Sequence, residues 1–111
     1  MIVRASQLFL PTLRDDPADA EAVSHKLLVR GGFIRQVGAG VWTFMPLGWR
    51  VHRKVEQIIR EEMDAIGAQE LLMPLLTPIE LWQRTKRDHI AELFRLEDRK
   101  GGHYVLPMTH E

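Results

Sequence analysis

Cysteine is absent from the sequence, and this absence excludes disulfides, thiolate zinc sites and a thiol nucleophile. An excess of charge of one sign is also lacking, because fifteen lysines and arginines balance fifteen aspartates and glutamates. No overall electrostatic field therefore draws the chain towards nucleic acid or an anionic membrane, and any such contact must be local.

Long hydrophobic runs are missing as well. The run from Leu8 to Leu10 is broken by Pro11 and is too short for a signal peptide or a membrane span. A chain of 111 residues is expected to form at most one domain and to bury about 65% of its unfolded surface. We expect a soluble, cytoplasmic protein with no membrane partner.

The sequence offers no familiar catalytic or metal-binding pattern. Its five histidines lack metal-ligand spacing, and no serine, histidine and aspartate form a recognisable triad. We therefore assign no catalytic residue and no metal ligand. The basic segment 84–89 is interpreted as a solvated loop, because runs of lysine and arginine are usually surface.

The longest helical pattern covers residues 48–66. Apolar side chains recur at steps of three and four opposite a charged face, which predicts an amphipathic helix. Pro46 is expected to prevent an earlier start, and Gly67 is placed to end the helix in a left-handed conformation. The apolar stripe consists of Val51, Val55, Ile58, Ile59, Met63 and Ile66.

Residues 71–76, Leu-Leu-Met-Pro-Leu-Leu, predict a mostly buried strand. Pro74 has no backbone N–H, so this strand is expected at the edge of its sheet. An apolar edge strand beside a long helix is usually covered, commonly by a second subunit. The pattern leaves two alternatives open, a dimer interface and cover by loops of the same chain.

A shorter helix is predicted near the N-terminus. Asp16 is the expected cap, Pro17 suits the first turn, and Gly31–Gly32 ends the helix after about Arg30. The residues before it have no sustained period and are interpreted as an irregular arm. The buried side of the helix is expected to contain Ala20, Val23, Leu27 and Leu28.

Two hairpins are predicted from alternating apolar residues. Residues 33–45 are expected to form the first, or else two short strands, and Gly38-Ala39-Gly40 is interpreted as a tight turn, because a dinucleotide-binding loop would need a third glycine. Residues 93–97 and 103–106 form the second around a glycine-containing turn. Between the hairpins, Thr77 to Glu80 matches a capping box at the start of a short helix.

Thr109 and Glu111 are the candidate binding residues. On an extended segment, residues two apart point to the same side, so this hydroxyl and this carboxylate would converge. Such a pair suits a cationic amine, because the glutamate accepts a charge-assisted hydrogen bond and the threonine a neutral one. Taken alone, the two residues leave open the alternative of a polar, frayed terminus.

Separated stretches of the sequence closely resemble the N-terminal part of bacterial-type prolyl-tRNA synthetases, which are class II aminoacyl-tRNA synthetases. The match runs from Arg4 to Glu111 and keeps the order and spacing of the family's motifs, so the chain is expected to be a piece of a longer enzyme. The stretches are RASQLFLPTLRDDPADAEAVSHKLLVRGGFIRQVGAGVWTFMPLGWRV, KVEQIIREEMDAIGAQELLMPLLTP, ELWQRT and FRLEDRKGGHYVLPMTHE.

The resemblance implies a fold and a role for two segments. Residues 1–111 would be the N-terminal portion of one α+β, antiparallel-sheet class II catalytic domain. Residues 48–78 resemble class II motif 1, the dimerisation element, with Pro74 as its signature proline and Met73 and Leu75 beside it in a homodimer interface. Residues 109–111 resemble the TxE element, in which Thr109 and Glu111 hold the imino group of proline.

The resemblance also implies a reaction and its partners. Proline would attack the α-phosphate of ATP to give prolyl-adenylate, and the tRNA for proline would then accept the prolyl group. The ligands for ATP and Mg²⁺ are expected outside this chain. Pro107-Met108 replaces the family's usual glycine-proline, which puts the local backbone turn in doubt. Arg95 imitates the motif 2 arginine but precedes the TxE element, so it is interpreted as a hairpin surface residue.

Two other functions are weighed against this one. The first is a truncated, non-catalytic module that uses the motif 1-like region to dimerise. The second is a related class II enzyme of the threonyl or seryl type, which would share motif 1 and differ around residues 109–111.

Overall fold

The computed structural model describes residues 3–110 and divides the chain into two compact units, one ending at Gln69 and the other beginning at Glu70. Both units combine helices with antiparallel strands, which agrees with the predicted α+β class. The elements are a 3₁₀ turn at Ala5–Gln7, α1 at Val23–Arg30, β1 at Ile34–Gly38, β2 at Val41–Phe44, α2 at Pro46–Ala65, β3 at Thr77–Pro78, α3 at Ile79–Arg84, β4 at Phe94–Glu97 and β5 at His103–Leu106.

The first hairpin is confirmed. Strands β1 and β2 pair antiparallel with Ile34 opposite Phe44. The turn between them contains Gly40 at φ +73°, a left-handed conformation that glycine adopts without steric cost. The glycine-rich stretch is therefore a tight turn, as the missing third glycine indicated.

Helix α1 is shorter than predicted, because it begins at Val23 rather than beside Asp16. The carboxylate of Asp16 does not cap the helix. It accepts a hydrogen bond of 3.1 Å from Arg30 and lies 3.8 Å from Lys26 Nζ. Asp16 thus forms ion pairs with two cations of α1 instead of capping the first turn of the helix.

The predicted buried side of α1 is partly wrong. Ala20 is buried, but Val23, Leu27 and Leu28 are exposed, and the buried residue of the helix is Val29. The glycine stop is confirmed, since Gly31 is the C-terminal cap and Gly32 has φ +72°.

Helix α2 begins at Pro46, two residues before the predicted start. Proline suits the first helical position, because its missing N–H would have no partner there and its φ is already helical. The C-terminal end agrees with the sequence. Gly67 has φ +83°, its N–H donates to Asp64 O at 2.9 Å, and Ala68 N–H donates to Met63 O at 3.1 Å, which is the Schellman arrangement.

The apolar stripe of α2 is exposed within this chain, and Gly48 is the one residue that the helix buries. The chain exposes 9708 Å², whereas a compact monomer of 12.9 kDa exposes about 6,300 Å². The expected burial of about 65% of the unfolded surface is therefore not reached. Much apolar surface lacks cover from the chain itself.

The second unit is organised by β5, which pairs antiparallel with both β3 and β4. Thr77 lies opposite Val105, and Arg95 lies opposite Val105 from the other side. Val105 is completely buried, and Leu93 beside the sheet is also buried. The predicted hairpin of 93–97 and 103–106 is thus confirmed.

The predicted edge strand at residues 71–76 does not form, because regular pairing begins only at Thr77. Pro74 cannot donate to a sheet, and this segment has no partner strand within the described chain. Its side chains are exposed rather than mostly buried, with Leu72 at 99% and Leu75 at 80%.

The structure also bears on membrane association. Across residues 3–110, every helix falls short of the combined length and apolarity that a bilayer span needs.

Gly48 yields a stability prediction. A Cβ at this position would overlap the carbonyl oxygen of Phe33 and lie 2.9 Å from its carbonyl carbon. We expect Gly48→Ala to lower the free energy of unfolding by roughly 1 to 3 kcal/mol, measured by urea denaturation followed through tryptophan fluorescence. Gly38→Ala is the control, because nothing lies within 4 Å of its Cβ. Equal effects of the two substitutions would contradict the account.

Asp98 yields a pH prediction. Backbone N–H groups of Gly102 and Lys100 donate to its carboxylate, both at 2.8 Å, and these bonds lower the pKa of Asp98 below its ordinary value. Because the folded pKa is depressed, the stabilisation is complete above about pH 4 and is lost as the pH falls through the folded pKa.

Wild type should therefore be more stable than Asp98→Asn at neutral pH, and the difference should close on acidification. Denaturation at a series of pH values measures this difference. A gap that stays constant from neutral to strongly acidic pH would be inconsistent with a charge-dependent contribution of Asp98.

Candidate functional site

An open pocket of about 510 Å³ lies in the second unit. Its wall is mainly apolar, with hydroxyl and cationic groups around it. The lining residues that the structure describes include two arginines and no carboxylate. They are Met73, Thr77, Leu81, Trp82, Arg84, Thr85, Arg87, Pro107, Thr109 and His110.

Helix α3 positions the aromatic part of this wall. The indole N–H of Trp82 donates to Thr77 Oγ1 at 3.0 Å, and Trp82 is half-buried. The predicted capping box is therefore wrong. The cap position is Pro78, and no side-chain hydrogen bond caps the helix. Thr77 lies in β3, and α3 begins directly after that strand with Pro78 at the cap position. The Thr77 hydroxyl, which was expected to cap α3, instead accepts the hydrogen bond that orients the Trp82 ring.

The end of α3 and the turn that follows it bring two arginines to the pocket. Lys86 N–H donates to Gln83 O at 3.0 Å, and Arg87 N–H donates to Trp82 O at 2.9 Å. Lys86 has φ +58°, a conformation that side chains other than glycine, asparagine and aspartate rarely adopt. Residues 85–89 form a loop, as predicted, whereas Arg84 is the last residue of α3. Arg84 and Arg87 both lie at the pocket wall.

The structure places the two predicted binding residues differently. Thr109 lines the pocket, three residues beyond the end of β5. Glu111 lies outside the described residues, so its convergence with Thr109 stays a prediction.

Of the three predicted interface residues, one lines the same pocket and a second contacts a lining residue. Met73 lines it, Leu75 is exposed, and the carbonyl oxygen of Pro74 lies 3.2 Å from His110 Nε2. The segment carrying the interface residues and the segment carrying Thr109 thus meet in one unit. Whether these residues contact a second subunit stays a prediction.

Arg95 has a larger role than a surface residue. Its guanidinium donates to the carbonyl oxygens of Leu93 at 3.2 Å and Ile90 at 2.9 Å, and also to that of Asp88. These bonds tie the loop before β4 to the hairpin. These contacts give Arg95 a structural role in holding the loop against the hairpin.

Trp82, His110 and Arg95 were missed as site or supporting residues. Tryptophan after a short amphipathic run is a weak signal, since core packing explains it equally well. His110 was visible only as the residue between Thr109 and Glu111. The contact of His110 with Pro74 spans 36 residues, and no local pattern reveals it, whereas Trp82 and Thr77 are only five residues apart.

Residues 3–110 do not bring together the ligands of a magnesium site. Mg²⁺ is bound by several oxygen ligands, mainly carboxylates and phosphate oxygens. Among residues 3–110, no group of three or more histidine, aspartate or glutamate side chains could hold a metal ion. These residues therefore do not fit a magnesium site, and we assign the ion no role in this part of the chain.

The antiparallel α/β architecture and the pocket are compatible with part of a synthetase, and sequence comparison identifies which kind. The chain is 62% identical to a proline–tRNA ligase of Corynebacterium diphtheriae, over 100% of this chain and 19% of that protein. It is 58% identical to those of Acidithiobacillus ferrooxidans and an Anaeromyxobacter species, over 98% of this chain and 20% and 19% of those proteins. No protein-family model matches the chain.

This chain is homologous over its whole length to the N-terminal part of proline–tRNA ligases, also called prolyl-tRNA synthetases, and the resemblance inferred from the sequence is confirmed. The chain spans about a fifth of the length of these curated relatives.

The left-handed residue in the pocket loop yields a prediction. Lys86→Gly removes a Cβ from a conformation that costs roughly 1 to 2 kcal/mol for most residues, while glycine adds about 0.4 to 1 kcal/mol of unfolded-state entropy. We expect a net stabilisation of about 0.5 to 1 kcal/mol, measured by chemical denaturation. Lys54→Gly, within α2, is the matched control and should destabilise by about 1 kcal/mol. Destabilisation by both substitutions would contradict the assigned strain.

Proposed function

We propose that this chain is part of a class II proline–tRNA ligase, in which it supplies one side of the proline site and the dimerisation surface. The observation that carries the proposal is the position of Thr109. The first residue of the TxE-like element lines a mainly apolar pocket whose wall contains Trp82, Leu81 and Pro107. An apolar wall beside a hydroxyl suits a ligand that is a small hydrocarbon ring carrying an amine.

The chemistry of proline matches this pocket group by group. The pyrrolidine ring packs on the apolar wall, and Thr109 Oγ1 accepts one hydrogen bond from the secondary ammonium. The other hydrogen bond requires an anionic acceptor, and the described wall contains no carboxylate. Glu111 is the acidic residue next in the chain, so it is the proposed acceptor. Its charge would neutralise the ammonium and strengthen the bond.

The proposed reaction has two steps. The carboxylate of proline attacks the α-phosphate of ATP to form prolyl-adenylate and release pyrophosphate, and the tRNA for proline then accepts the prolyl group. Within this chain, the task of the residues is to bind and orient proline, because correct placement of two reactants supplies much of the catalysis in such transfers. ATP, with Mg²⁺, is assigned to residues outside this chain.

The proposal also covers the exposed apolar surface. The stripe of α2 and residues 71–76 together form the motif 1-like region, and both are largely uncovered. We propose that a second copy of the chain covers this surface around Met73, Pro74 and Leu75. The alternative is that another part of the same protein covers it. The partners are then proline, ATP, the tRNA for proline and the second subunit, and the compartment is the cytoplasm.

A non-catalytic module is not favoured. The close relatives are ligases, and the similarity extends over the whole of this chain rather than over the motif 1-like region alone.

Substitutions at residues 109 and 111 test the proposed site in the full-length gene product. Glu111→Gln should weaken proline binding about tenfold to a hundredfold, since a hydrogen bond to a charged group contributes roughly 1.5 to 3 kcal/mol. Thr109→Val should weaken it less, because the lost bond is neutral. Isothermal titration calorimetry with proline measures both dissociation constants.

Two matched variants serve as controls. Thr109→Ser keeps the hydroxyl and should bind proline almost as wild type does. Glu92→Gln makes the same charge change in an exposed turn and should have no effect. An unchanged dissociation constant for Glu111→Gln would remove this residue from the site.

A further inference from the structure

The contact between His110 and Pro74 joins two segments that are far apart in sequence. The Nε2 atom of His110 lies 3.2 Å from the carbonyl oxygen of Pro74. A carbonyl oxygen only accepts hydrogen bonds, so Nε2 must carry the hydrogen and donate it. Both the cationic ring and the neutral tautomer protonated at Nε2 meet this requirement.

Residues 71–76 form no regular secondary structure. Pro74 has no N–H, and no ladder bonds form before Thr77. Among the hydrogen bonds within residues 3–110, the one from His110 connects residues 71–76 to a distant segment of the chain. We call this bond the tie. This single side chain therefore restricts a segment whose apolar residues are exposed.

The same contact lies at the wall of the pocket. Met73 comes directly before Pro74 and lines the pocket, and Thr109 comes directly before His110 and lines it too. The hydrogen bond thus joins the two backbone segments that carry these lining side chains. A change in the position of residues 73–75 would be transmitted to Thr109 through His110.

We infer that His110 is a positioning residue, whose bond to Pro74 sets the place of Thr109 and couples the interface segment to the proline site. The inference rests on the proposed function, since it assumes that the pocket takes proline and that residues 73–75 face a second subunit. His110 itself also lines the pocket. The effect inferred here passes through its bond to Pro74 and through the backbone to Thr109.

Three variants in the full-length protein distinguish loss of the hydrogen-bond donor at residue 110 from loss of side-chain volume. Glutamine reaches about as far as Nε2 and carries an amide N–H, whereas asparagine is shorter and leucine has no donor. His110→Leu and His110→Asn should raise the KM for proline about three- to tenfold, the effect expected of one neutral hydrogen bond. His110→Gln should stay within twofold of wild type.

The readout distinguishes positioning from general damage. Proline-dependent pyrophosphate exchange gives KM values for proline and for ATP, and only the KM for proline should rise. His89→Leu, a histidine exposed in the loop, is the control and should leave both values unchanged. Equal impairment of His110→Gln and His110→Leu, or a wild-type KM in His110→Leu, would overturn the inference.

Coupling to the interface has its own measurement. If proline binding and dimerisation are linked, proline must tighten the dimer by the same factor by which dimerisation tightens proline binding. Sedimentation equilibrium of wild type should show a tighter dimer with proline, and His110→Leu should lose most of that gain. A proline effect of the same size in both proteins would contradict the coupling.

Limited proteolysis separates failure of this inference from failure of the proposed function. In His110→Leu, protease cleavage within residues 71–76 should be faster than in wild type, whether or not the protein binds proline. An unchanged cleavage rate there would refute the tie. Faster cleavage without any proline binding by wild type would keep the tie and reject the proposed substrate.

Discussion

The pairing of β5 with both β3 and β4 is the constraint on which the candidate site depends. Val105, buried between its two neighbours, fixes Thr77 on one side and Arg95 on the other. Through β3, this pairing brings α3 and Trp82 next to residues that follow β5, where Thr109 and His110 lie. The pocket is thus a consequence of sheet register, because a slip of one residue would turn every side chain of β5 to the opposite face.

Much of the fold could be predicted from local patterns, and the errors share a cause. Both hairpins and the glycine-terminated end of α2 follow from turn chemistry and periodicity, which act between near neighbours. The start of α1 was wrong because Asp16 pairs with Lys26 and Arg30. The strand at 71–76 was wrong because this segment pairs with no strand among residues 3–110. In both cases interactions beyond the local segment, made or not made, decided the outcome.

The candidate site divides in the same way. Thr109 was found from spacing and family resemblance, and the structure places it at a pocket. The contact of His110 with Pro74 spans 36 residues and could not be found from a local pattern. The contact of Trp82 with Thr77 spans only five residues and was missed because Thr77 was interpreted as a helix cap. The exposed stripe of α2 and Leu72 account for the small core of an apolar chain, because these side chains lack cover within residues 3–110.

The most direct test of the account is ATP–pyrophosphate exchange by the full-length gene product, with one amino acid supplied at a time. The account predicts exchange that depends on proline and is far weaker with threonine or serine, and none with the 111-residue chain alone. Exchange driven by threonine or serine instead of proline, or no exchange with any amino acid, would contradict the assignment of this pocket to proline.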